Sequence, residues 1–187
     1  MRVLALDLSL TRTGFATSDG SSGVLVPRPP HNQGVYRLAW YKAQLLGLLS
    51  FPAKPDVVVL EGYSYGSAFK NAKGEMIQPQ AGVRSIGELG GVVRLTCFEH
   101  HVPFVEVPPS NLKQYATGKG NGPKDGVVVA AAHRLGYHGA DNNEVDALWL
   151  LYMALDHYRL PGAVQVPEQH RKSLAAIQWA ATNGARI

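Results

Sequence analysis

The chain has 187 residues, of which 45% are hydrophobic and 17% charged, with a single cysteine and a formal charge of +4. That length suffices for one domain with a real core; no apolar stretch reaches a membrane span; and the lone Cys97 excludes an internal disulfide or a cysteine-based zinc site. Asp7 interrupts the first apolar run too early for a signal peptide, so a cytoplasmic protein with no membrane partner is expected. The pI near 9.2 is compatible with a polyanionic partner but does not specify one.

Val3–Asp7 reads as a short strand running straight into an acid. Gly14–Ser18 and Val24–Val26, separated by turn signals, complete a three-strand meander. Tyr36–Leu49 has helical spacing and is stopped by Pro52 and Pro55. Val57–Leu60 is a continuous apolar run, as in a central strand covered on both faces, and it ends at Glu61. Residues 62–80 are polar and rich in Gly, Lys and Tyr, which predicts an exposed loop. A helix is expected over Gly82–His101, a strand over Val102–Val107, a short helix from Ser110 to Tyr115 and another over Lys124–Leu135. Asn142–Tyr158 is the last strong helix, with Asp141 as its N-cap and Glu144 three residues later, as in a capping box. A linker at Pro161–Pro167 precedes a C-terminal helix over Glu168–Ala181. The order predicts an α/β domain over residues 1–160, with a mixed five-stranded sheet and helices on both faces, and a C-terminal extension over 161–187. Trp40, Trp149 and Trp179 are expected as core or interface anchors.

Two acids, Asp7 and Glu61, end apolar strands; if those strands are neighbours, both carboxylates emerge at one end of the sheet. Asp146 lies on an otherwise apolar side of a helix and shares a face with Asn143, three residues before it. Taken singly, a strand-end acid is an ordinary turn residue, and Asp141 and Glu144 are a capping pair that could also swing into a metal shell. Taken together, Asp7, Glu61, Asp146 and Asn143 could converge as an oxygen-donor site for hard divalent cations. Such a site can activate water against a phosphodiester. The seven histidines show no metal-binding spacing.

These residues resemble the RuvC-like Holliday junction resolvases, particularly their divergent phage forms. Leu4–Gly14 is similar to the family's opening strand and turn, Val57–Glu61 to its second acidic strand, and Asn143–Leu148 to its acidic C-terminal helix. The resemblance spans residues 1–158. It implies an RNase H-like fold, a homodimer in a bacterial or phage-infected cell, and nicking of branched DNA at four-way junctions with Mg2+ or Mn2+. Asp7, Glu61 and Asp146 carry over as metal ligands. Asn143 departs from the Asp or His usual in the superfamily, and its neutral amide oxygen binds a cation more weakly. The long helix from Gly82 is the candidate dimer contact.

The resemblance also places DNA contacts. The loop after Glu61 would enter the junction centre, with Tyr63, Tyr65 or Phe69 stacking on bases and Lys70 and Lys73 neutralising phosphates. Lys113, Lys119 and Lys124 flank a Gly-rich segment and would meet phosphate near the scissile bond, and Arg12 in the first turn is a further phosphate candidate. Three rivals stay open: a sugar-kinase or actin-like ATPase, whose first phosphate loop opens like Asp7–Gly14; another RNase H-like nuclease acting on RNA or flapped DNA; and a non-catalytic junction-binding module.

Overall fold

The computed structural model describes residues 1–50, 53–62, 81–122, 124–139 and 141–181. Its strands are β1 (Val3–Asp7), β2 (Thr13–Thr17), β3 (Ser22–Leu25), β4 (Val57–Glu61) and β5 (Phe104–Val107). Its helices are α1 (Gly34–Ser50), α2 (Ala81–Glu99), α3 (Pro109–Thr117), α4 (Lys124–Leu135), α5 (Asn142–His157) and the short α6 (Glu168–Arg171), which runs into a 3-10 turn at Lys172–Ala176.

The two most apolar runs occupy the middle of the sheet, whose order is β3-β2-β1-β4-β5. β1 pairs antiparallel with β2 and parallel with β4; β4 pairs parallel with β5. Because side chains alternate along a strand, each run divides between two cores. Leu4, Leu6, Val58 and Leu60 pack with Tyr41, Leu45 and Leu49 of α1 and Leu89, Val93 and Cys97 of α2. Val3, Ala5, Val57 and Val59 pack on the other face with α3, α4, α5 and the C-terminal segment. An uninterrupted Val-rich strand is the pattern such two-sided burial requires. The expected mixed five-stranded sheet with helices on both faces is therefore present.

Helix boundaries follow local chemistry. Pro109 opens α3, where its missing N–H costs nothing. Gly118 closes it at φ 80°, donating its N–H to the Gln114 carbonyl at 2.8 Å. A side chain at Gly118 would be strained by that φ and would also meet His170 Nε2, which lies 2.7 Å from the position of a Cβ. α5 starts at Asp141, whose carboxylate accepts the Asn143 N–H at 3.0 Å. Glu144 does not close a capping box: its two oxygens accept hydroxyl bonds from Ser22 and Tyr137, each at 2.7 Å.

The C-terminal helix is shorter than expected. α6 ends at Arg171, and Ile177 is extended at φ −96°, ψ 134°. Ile177 and Trp179 both pack on the α5-side core. Residues two apart share a face in extended chain but not in a helix, so an unbroken helix could not dock both. The segment is tied down by Asn111 Nδ2 donating to the Ser173 carbonyl at 2.8 Å and by the Arg171–Asp156 ion pair at 2.8 Å. Among the described residues, no helix is long and apolar enough to cross a membrane.

Trp149 anchors the α5-side core. It is fully buried, donates Nε1–H to the Val127 carbonyl at 3.1 Å and meets Tyr115 edge-on at 6.0 Å. Trp149→Ala is expected to cost about 3–5 kcal/mol in urea unfolding; a loss under about 1 kcal/mol would show that this core does not depend on it.

Candidate functional site

The strand register places the acids. Leu6 pairs with Leu60 across the parallel β1–β4 ladder, and one further step along it sets Asp7 beside Glu61. Both side chains lie on the α5 side of the sheet, since Val3 and Ala5, and Val57 and Val59, point there. On its other flank Asp7 pairs with Gly14 of β2. Asp7 is only 5% exposed, whereas Glu61 and Asp146 are partly exposed.

Gly14 determines how α5 reaches this spot. A Cβ at Gly14 would lie 1.9 Å from the carbonyl oxygen of Asn143 and 2.3 Å from its carbonyl carbon. Backbone meets backbone there, and no side chain can move aside. The first turn of α5 thus sits on the β1–β2 ladder at the pair that contains Asp7, and Asp146 follows one turn later.

Polar contacts fasten the same turn. Arg12 Nε donates to Asp141 Oδ2 at 2.7 Å, and a second guanidinium N–H reaches the same oxygen. The Asn143 side-chain amide donates back to the Arg12 carbonyl. Burial pushes the Asp141 carboxyl up, but the hydrogen bonds from Arg12 and the Asn143 backbone outweigh it and hold the group below its ordinary value. Burial, reinforced by Glu144, pushes the Tyr137 phenol up to about 12, so its hydroxyl remains a donor to that carboxylate. The β1–β2 turn is closed on itself: Thr13 Oγ1 donates to the Ser9 carbonyl at 2.9 Å and accepts the Ser9 N–H at 3.1 Å, while Tyr41 OH donates to that carbonyl at 2.9 Å.

The sequence-predicted residues divide into three groups. Asp7 and Glu61 end neighbouring strands on one face, and α5, which carries Asn143 and Asp146, starts over Gly14 beside Asp7; among the described residues no three His, Cys, Asp or Glu side chains form a group that could hold a metal ion. Lys113 lies on α3, which begins beside the end of β5, and Val107 there pairs with Glu61. Lys119 is exposed in the segment that folds back onto α3: a Cβ at Gly120 would stand 3.2 Å from the Ser110 carbonyl. Lys124 is the first residue of α4. Tyr63, Tyr65, Phe69, Lys70 and Lys73 lie outside the described residues. Sequence reasoning placed Arg12 toward phosphate and missed its bond to Asp141; the two are 129 residues apart and no local pattern links them.

No protein-family model matches the chain. The chain is 28% identical to crossover junction endodeoxyribonuclease RuvC of Saccharopolyspora erythraea, the match covering 94% of this chain and 86% of the relative. It is 26% identical to the enzyme of that name from Nocardia farcinica, over 94% and 91%. The structure of Thermus thermophilus RuvC aligns with a TM-score of 0.61 at 22% identity, covering 88% of this chain and 99% of that one. The same protein in complex with a Holliday junction substrate aligns at 0.63, with 22% identity and coverage of 88% and 98%. The fold is RNase H-like. In sequence the chain is similar to RuvC over nearly its whole length.

Gly14→Ala is expected to destabilise the protein by about 1–3 kcal/mol or more, because the intruding methyl meets backbone. At roughly 2–4 °C per kcal/mol for a chain of this size, thermal melting would register it; an unchanged melting temperature would mean that α5 does not rest on Gly14.

Proposed function

We propose that this protein is a metal-dependent endonuclease that nicks branched DNA and resolves four-way (Holliday) junctions, working as a cytoplasmic homodimer with Mg2+ or Mn2+. The observation that carries this reading is the register that sets Asp7 beside Glu61 under the first turn of α5. It occurs in a chain similar to RuvC over nearly its whole length. The names of those relatives, and the junction substrate bound to one solved neighbour, support the choice of DNA substrate.

Asp7, Glu61 and Asp146 would hold the cation, with Asn143 offering a neutral oxygen. A donor set made only of oxygens suits hard divalent ions. When bound there, such an ion would supply activation of water and stabilisation of the leaving oxygen. Lys113, Lys119 and Lys124 would neutralise phosphates along the neighbouring strand end, and Tyr63, Tyr65 and Phe69, with Lys70 and Lys73, would meet the junction centre. The ATPase alternative finds less support: the polar groups of the β1–β2 turn bond to one another and to α5, which leaves them poorly disposed to cradle a phosphate.

The test is cleavage of four-way, flap, linear and RNA-hybrid substrates with Mg2+ and with Mn2+. Symmetric nicks in the four-way junction are expected; preference for a hybrid or a flap would reassign the substrate, and binding without cleavage would leave a junction-binding module. Asp7→Asn should abolish cleavage while junction binding survives, and full cleavage by that variant would remove the proposed site. Lys119→Ala should lower the salt dependence of junction binding by about one phosphate contact; an unaltered slope places Lys119 away from DNA. Phe69→Ala should slow cleavage, since stacking on a base contributes about 1–3 kcal/mol, and unchanged rate and affinity would put the stacking residue elsewhere.

A further inference from the structure

Arg12 touches the first turn of α5 twice, by two independent groups. Its guanidinium binds the Asp141 carboxylate that caps the helix, and its backbone carbonyl accepts the Asn143 side chain. Two residues further on, Gly14 supplies the close approach that lets this turn rest on the strand. On the far side of the turn, Glu144 is held by Ser22 and Tyr137. These contacts surround the first turn of the helix that carries Asn143 and Asp146.

The Arg12 side chain is 49% exposed, and half-exposed ion pairs contribute little to global stability. What the pair does fix is position. Arg12 lies in the turn that follows Asp7, so a bond from that turn to the α5 cap ties together the two elements whose carboxylates must meet.

We propose that Arg12 is a positioning residue: through Asp141 and through its own carbonyl it clamps α5 on the β1–β2 turn, and so sets Asp146 and Asn143 relative to Asp7 and Glu61. This rests on the metal-site reading above. Supporting residues of this kind tune metal affinity without touching the metal.

The experiment is calorimetric titration of Mn2+ into the folded, DNA-free protein, with thermal melting and junction binding both measured in EDTA. Arg12→Ala and Asp141→Asn, the latter keeping a competent helix cap, should each weaken Mn2+ binding about tenfold. The double variant should be no worse than either single one, because both break the same link. Arg12→Lys should recover part of the loss. Melting temperature in EDTA should fall by no more than about 4 °C, and junction affinity and its salt slope should stay at the wild-type level. Wild-type Mn2+ binding by Arg12→Ala overturns the clamp. So does a loss of junction affinity with a salt slope lower by about one, which would make Arg12 a phosphate contact. Asp7→Asn separates the two levels. If it abolishes Mn2+ binding while Arg12→Ala leaves it intact, the clamp alone fails; if it binds Mn2+ normally, the metal site fails and the clamp with it.

Discussion

A helix can approach a sheet only as closely as the residue beneath it allows, and at Gly14 that limit is removed. The Asn143 carbonyl occupies the space in which any other residue would carry its Cβ. The rest of the α5 face follows from this contact. With its first turn in place, α5 contributes Val145, Trp149 and Met153 to the core on this side of the sheet, α4 packs against Trp149, and the C-terminal segment joins the same core. The same contact puts the start of α5 over the pair containing Asp7, so core packing and site assembly share one determinant.

Two acids interrupt the apolar pattern at this end of the sheet. Asp7 and Glu61 end adjacent parallel strands on the same face, and like charges in neighbouring strand positions repel. Asp7 is also almost wholly enclosed, and enclosing a carboxylate is costly unless compensated. Local conflicts of this kind, in a chain whose other choices agree with its fold, are expected where function is located. The opposite face of the sheet makes a contrast: Leu4, Leu6, Val58 and Leu60 share an apolar core with side chains of α1 and α2.

The parts of this arrangement that were legible in the sequence are those carried by short-range patterns. Val57–Leu60 announced a two-sided strand because four consecutive apolar residues cannot alternate, and Glu61 marked its end. Asp141 announced the start of α5 because a cap is a local signal. Glu144 shows the limit of that logic. Its spacing from Asp141 suits a capping box, but Ser22 and Tyr137 claim it across the fold. The Arg12–Asp141 bond and the role of Gly14 had no local signature, since each depends on where a distant segment comes to rest. The C-terminal segment misled for a related reason: Glu168–Ala181 has the composition of a helix, yet docking Ile177 and Trp179 on one surface demands extended backbone.

The direction of α5 supplies a last electrostatic link. A helix N-terminus carries partial positive charge through its unpaired N–H groups, favouring nearby anions. α5 brings this end, not its C-terminus, over the Asp7–Gly14 pair. Asp141 uses part of that field as the cap, and Arg12 neutralises Asp141 in turn. The capping acid therefore adds little net negative charge beside Asp7 and Glu61. Without Arg12, the capping carboxylate would lose the cation that pairs with it. The clamp thus serves geometry and charge together: it holds the helix that must deliver Asp146, and it keeps the cap that starts this helix from working against the acids it is brought to meet.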